Sequence, residues 1–251
     1  MKLKQILEAS EWRDATIRRE AERVFLAVIR SLVDGSIVRR VVDDDLSYVV
    51  FDFTDEVPLR QFFVILFSNP RTNIGGQMGK ISSKQFGGTA HPDRLGISIN
   101  LENFFPIYDV KNEGPRIAQE LNKRKTIFIH EFVHLVDSRR MGEVFFKNKA
   151  TISGDGRSAT YSEYFNNPKE LNTYYQQTAS VLDDKIRNLE RYEREIPDIM
   201  QRKFGTTFES AFAVFLKELP RSFWGHLSPE NKKKIRKRFY NYWVDNIKPY
   251  V

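Results

Sequence analysis

In the run IFIHEFVHLVD, residues 127–137, His130 and His134 lie four residues apart, with Glu131 directly after the first and Asp137 just beyond the second. The rest of the run is apolar. Imidazoles and carboxylates set among apolar side chains are costly to bury unless something pairs with them. Two imidazoles and an acid at this spacing suit a divalent metal ion. On an α-helix each residue advances by about 100°, so with His130 at zero, His134 lies near 40°, Asp137 near −20°, Ser138 near 80° and Glu131 near 100°. The polar groups share one arc, and Phe128, Ile129, Phe132, Leu135 and Val136 fill the remainder. A helix apolar around most of its circumference is a buried one. The expectation is a buried helix with a polar stripe.

The stripe matches H-E-x-x-H. Histidines at i and i+4 project from successive turns and can share one tetrahedral Zn²⁺, while the Glu after the first His reaches a water on the metal. Zinc acidifies that water, and the Glu removes its proton as it attacks a carbonyl. With only 4 His in 251 residues, two at this spacing around a Glu are uncommon by chance. The competing reading is a pair of ordinary core histidines beside an acid.

A catalytic zinc site takes three protein ligands. The other histidines, His91 in TAHPD and His226 in FWGHLSPE, carry no supporting pattern. Asp137 lies seven residues from His130, about 10 Å along a helix axis, too far for a short side chain to share one ion with both histidines. Its expected role is support, by accepting a ring N–H or fixing a basic residue. In H-E-x-x-H-x-x-G-x-x-H the chain turns at a glycine to return a third His. Here those positions are Asp137 and Arg140, and that pattern is absent. Glu170, in YFNNPKELNTYY, is the strongest candidate. A second helix packed on the first could deliver it. The rival reading is a capping box, with Asn167 as N-cap, Pro168 at N1 and Glu170 at N3.

The elements that must position these residues form an α+β outline. Residues 1–34 read as helix, in one or two pieces, stopping at DGS. LSYVVFDF (46–53) and RQFFVILFS (60–68) read as strands. LGISINLENFF (95–105) alternates Ile97, Ile99 and Leu101 against Ser98 and Asn100, as a half-buried strand does. The glycine-rich stretch 69–93 reads as a long hairpin or loop, with no phosphate-binding motif. One helix is expected from about Pro115 to Arg140, stopping at Gly142, then a surface loop in 143–163, a long helix beginning near 166, and two more near 206–219 and 229–247. The whole reads as a single domain, 1–251: an N-terminal helical part (1–40), a small mixed sheet with the zinc-site helices (41–178), and a helical C-terminal part (179–251).

Composition narrows the classes. There are no cysteines, so disulfides and thiolate zinc sites are excluded. A net charge of +7 arises from 40 basic and 33 acidic residues, a mildly basic balance. The first residues, MKLKQILEASEWRD, do not read as a secretory signal, and no run of about 18 apolar residues predicts a membrane span. The basic stretch NKKKIRKRFYNYW (231–243) sets Ile235, Phe239, Tyr242 and Trp243 on one face, so it reads as a packed helix with a solvated basic face. Nucleic acid is therefore not an expected partner.

HEFVHLVD, followed by a tyrosine-bearing segment and a Glu on the next helix (YFNNPKELNTYYQQ), resembles the gluzincin-type zinc metallopeptidases. It is similar in particular to lethal-factor-like zincins and to tailed-phage sequences read as peptidases. The resemblance covers roughly residues 94–178. It implies a zincin-like fold, His130, His134 and Glu170 as Zn²⁺ ligands, Glu131 as general base, and a polypeptide substrate lying by strand addition along the strand 95–101. It also implies a tyrosine near the Glu that hydrogen-bonds the oxyanion, Tyr164 or Tyr161, with Tyr164 favoured. The expected location is the cytoplasm, that of a host cell or a virion for a phage protein. The expected activity is zinc-dependent peptide hydrolysis. The alternatives are a catalytically silent zincin-like structural or virion-associated protein, and a basic interaction module acting through the C-terminal helix.

Overall fold

The computed structural model describes residues 14–35, 39–43, 46–52, 63–67, 88–91, 96–101, 110–141, 161–190 and 196–251. Most of these are helical. The chain divides into two compact units, Met1–Phe146 and Lys147–Val251. Each unit has its own apolar core.

The first unit opens with helix α1, Asp14–Asp34. Ile17, Ala21, Val24, Phe25, Val28 and Leu32 recur at helical spacing and are all buried. Gly35 follows at φ 74°, the left-handed conformation that ends a helix and that glycine adopts without cost. Strands β1 (Arg39–Asp43), β2 (Leu46–Asp52), β3 (Phe63–Phe67), β4 (Gly88–His91) and β5 (Gly96–Asn100) pair in the order β1-β2-β3-β5-β4. The β3–β5 pair is parallel and the others are antiparallel. Its register sets Val64 beside Ile97 and Leu66 beside Ile99, all four buried. Burying one such side chain contributes about 1.5–3 kcal/mol.

Two expectations change here. Among the described strands β5 is not an edge: it lies between β3 and β4, and β4 ends the order. Ser98, expected on a wet face, is wholly buried. Of the stretch read as a long hairpin or a loop, 88–91 is strand β4, antiparallel to β5 as a hairpin arm would be, while 69–87 lies outside the described residues.

The single helix expected at 115–140 is two, α2 (Val110–Asn122) and α3 (Lys125–Met141). The break has a local cause. The Arg124 N–H donates to the Leu121 carbonyl at 2.9 Å, tightening the turn. The Arg124 guanidinium donates to both the Glu120 carbonyl and its carboxylate at 3.2 Å, closing the end of α2 with a cation. Pro115 lies inside α2, not at its start. The neighbouring Gly114 comes so close to α1 that a Cβ there would collide with the Leu32 carbonyl oxygen. Helix α1 packs on α2 and α3, and α3 lies against β4 and β5. The stop expected at Gly142 and most of the loop at 143–163 fall outside the described residues.

The second unit is helical: α4 (Tyr161–Asn166), α5 (Pro168–Glu190), α6 (Ile196–Phe204), α7 (Phe208–Glu218), α8 (Phe223–His226) and α9 (Pro229–Asn246), then a 3₁₀ turn at Lys248–Tyr250. Its core is aromatic. The Phe239 ring lies 4.6 Å from Phe215 and 5.5 Å from Phe212. Asn166 ties α4 to the start of α9. Its Oδ1 accepts from Ser228 N–H (2.7 Å) and Asn231 Nδ2 (2.9 Å), and its Nδ2 donates to the His226 carbonyl (2.8 Å). Helix α9 begins with Ser228 as N-cap and Pro229 after it. Ile235, Phe239, Tyr242 and Trp243 form its buried face. Its arginines do more than face water: Arg238 lies over the Tyr175 ring at 3.9 Å and donates to Asn172 Oδ1.

Candidate metal centre

Helix α3 is buried along most of its surface. Phe128, Ile129, Phe132, Val133, Leu135 and Val136 are each at most 3% exposed. These residues leave room for polar groups on one arc alone, and that arc carries the histidines. His130 Nε2 and His134 Nε2 lie 3.2 Å apart, with ring centroids at 4.8 Å and planes at 80°. Zn–N bonds of about 2.0–2.1 Å in tetrahedral geometry set two nitrogens roughly 3.3 Å apart. The pair therefore has the spacing of two corners of a zinc tetrahedron. The same spacing also lets one ring donate an N–H to the other.

Glu131 sits at the next position on α3, partly buried, against strand β4. Asp137 is buried at 5% exposure on the histidine arc. Ser138 is buried too, but its hydroxyl donates to the Leu135 carbonyl at 2.7 Å, so it serves the helix backbone.

In the second unit, Glu170 is buried in the first turn of α5. Asn167 caps that helix: its Oδ1 accepts from the Lys169 N–H at 3.0 Å. In a capping box Glu170 would accept from the Asn167 N–H. That N–H donates to the Tyr164 carbonyl at 3.1 Å. The cap thus works without the reciprocal bond. The Glu170 carboxylate hydrogen-bonds the Tyr164 hydroxyl, which also meets Tyr174. Burial first, and the charge of Glu170 next, push the Tyr164 phenol far above its ordinary pKa. Tyr164 is a neutral donor at any physiological pH. It carries one hydroxyl proton; when that proton is donated to Glu170, serving an oxyanion means giving up the bond.

No protein-family model, curated protein or solved structure matches the chain.

The remaining sequence candidates lie elsewhere in their elements. His91 ends β4. The His226 ring stacks on Tyr161, at 5.7 Å, and its carbonyl accepts from Asn166. Tyr161 is 61% exposed and also stacks on Phe165, an ordinary packed aromatic at the surface. Two residues escaped the sequence reading. Tyr174 stands four residues after Glu170, a spacing that places both on one helix face and could have flagged it. Gly88 gave no signal, being one of several glycines in a stretch read as a long hairpin or loop. No helix among the described residues is long and apolar enough to cross a membrane.

Proposed function

We propose that this chain is a zinc-dependent peptidase with a zincin-like, gluzincin-type site, in which His130, His134 and Glu170 bind one Zn²⁺. The observation that carries the reading is the His130–His134 pair, two imidazole nitrogens 3.2 Å apart on a buried helix. It is supported by the chemistry of the donor set: two imidazoles and a buried carboxylate are the ligand types zinc takes. Two imidazoles and one carboxylate leave the ion an open position, the pattern of catalytic rather than structural zinc.

Bound there, zinc would supply Lewis acidity, acidifying a water and polarising the scissile carbonyl. Glu131, next to a ligand but not itself one, takes the proton from the attacking water and hands it to the leaving amine. Tyr164 orients Glu170 and, on releasing that bond, can steady the oxyanion. Asp137 supports the histidine arc. An extended polypeptide lies along β4, the terminal strand, through main-chain hydrogen bonds. The absence of cysteine suits a reducing cytoplasm.

The test is zinc-dependent cleavage of a peptide library, mapped by mass spectrometry. Turnover that a chelator abolishes and added zinc restores supports the reading. A folded, zinc-loaded protein that cleaves nothing would instead support the silent structural alternative.

A further inference from the structure

We propose that Gly88 is a positioning residue for Glu131: the side chain missing from β4 leaves the slot in which the Glu131 stem lies. A Cβ at position 88 would stand 2.8 Å from Glu131 Cγ, 3.0 Å from Ile127 Cγ2 and 3.1 Å from Ile99 Cδ1. All three are closer than ordinary carbon contacts. Glu131 Cγ lies in the middle of its stem and Ile127 Cγ2 sits directly on Cβ, so neither clears the space by swinging a flexible end. Only Ile99 Cδ1 is the far end of a flexible branch.

The backbone does not explain this glycine. The described glycines at positive φ are Gly35 and Gly205, and Gly88 is not among them. Glycine weakens a strand interior and marks places of close approach. Here what approaches is the stem of the proposed base. The Glu131 stem, Ile127 and Ile99 all border the space that a side chain at 88 would fill, and by this proposal that confinement aims the carboxylate before substrate arrives. Proton transfer is sensitive to such aim, since a displacement of about 1 Å can cost roughly 10²-fold in rate.

The inference rests on Glu131 being the base, and its test separates the two ideas. In the zinc-loaded chain, Gly88→Ala is expected to lower kcat by about 10–10²-fold with zinc affinity within a few-fold of wild type. In a Glu131→Gln background the same substitution should leave the residual rate unchanged, because nothing remains to be aimed. Equal losses in both backgrounds, or a Gly88→Ala enzyme at the wild-type rate, would overturn the proposal. If Gly88→Ala folds poorly, the pair Gly88→Ala with Ile99→Val removes the Ile99 Cδ1 atom, restores room at that wall and is read the same way. A second readout needs no activity. With ¹³C-labelled glutamate carboxyls, the Glu131 resonance is assigned by its loss in Glu131→Gln. Gly88→Ala should move that resonance more than any other at fixed pH. An unmoved resonance sinks the Gly88 inference even in a protein with no peptidase activity, and a moved one upholds it even there.

Discussion

His130 Nε2 stands 3.2 Å from His134 Nε2 on a helix otherwise enclosed by apolar side chains. Two nitrogens this close can share one proton, which satisfies a single lone pair. A divalent cation takes the lone pairs of both neutral rings at once. That difference makes the pair a metal centre in the proposed account, and the roles of Glu131, Tyr164 and Glu170 follow from it.

Glu131→Gln should keep the zinc and the fold while losing hydrolysis. The carboxylate is assigned to proton transfer, worth about 10²–10⁴ in rate, and to no metal bond. Zinc stoichiometry and turnover measured on one preparation check this. A mutant that cleaves the mapped peptide at a rate near wild type removes Glu131 from the base role.

Tyr164→Phe separates two jobs for one hydroxyl. If Tyr164 acts by orienting Glu170, the mutant should lose about 10–100-fold in zinc affinity. If it acts on the oxyanion, zinc affinity should hold and kcat should fall about 10²–10³-fold. The hydrogen bond to Glu170 favours the first outcome. A competing-chelator titration alongside kcat decides between them, and a mutant with both values unchanged excludes both jobs.

On helix α9, Lys233, Lys234 and Lys237 are exposed. Replacing all three by Gln should change stability by no more than about 0.5 kcal/mol per site and leave zinc binding and turnover intact. Salt-sensitive binding of DNA or RNA by wild type, lost in this mutant, would favour the interaction-module reading instead.

Arg238 is the contrasting cation of the same helix. It lies over Tyr175 and bonds Asn172. Arg238→Gln should cost about 1–3 kcal/mol, from the cation–π contact and the hydrogen bond together, seen as an earlier urea midpoint at constant slope. An unshifted midpoint would show that the contact adds nothing.

The parts of this molecule legible in its sequence were those with a strong local rule. The stripe on α3 follows from 100° spacing, and the buried face of α9, Ile235 to Trp243, follows the same arithmetic. Asn167 before Pro168 announces a helix start, and the Asn167–Lys169 bond is there. What was not legible depends on partners distant in sequence or on absent atoms. Strand β4 is short, begins with a glycine and carries small residues, so no alternation marks it. Whether β5 is an edge depends on β4. The break at 123–124 involves Lys and Arg, good helix formers whose charges here close a helix end. Tyr164 looked like an oxyanion donor by its place in the chain, and its bond to Glu170 emerges only from the packing of α4 and α5.

The most direct test of the central claim is zinc titration against a competing chelator, on wild type and Glu170→Gln, with circular dichroism alongside. Glutamine keeps the size of the side chain and can still serve a helix cap, but its neutral amide is a poor zinc ligand. The account predicts one tightly held zinc per wild-type chain, and for Glu170→Gln a loss of affinity by orders of magnitude with unchanged helix content. A folded wild type that holds no zinc would contradict the metal centre itself, and full zinc retention by a folded Glu170→Gln would contradict the assignment of the third ligand.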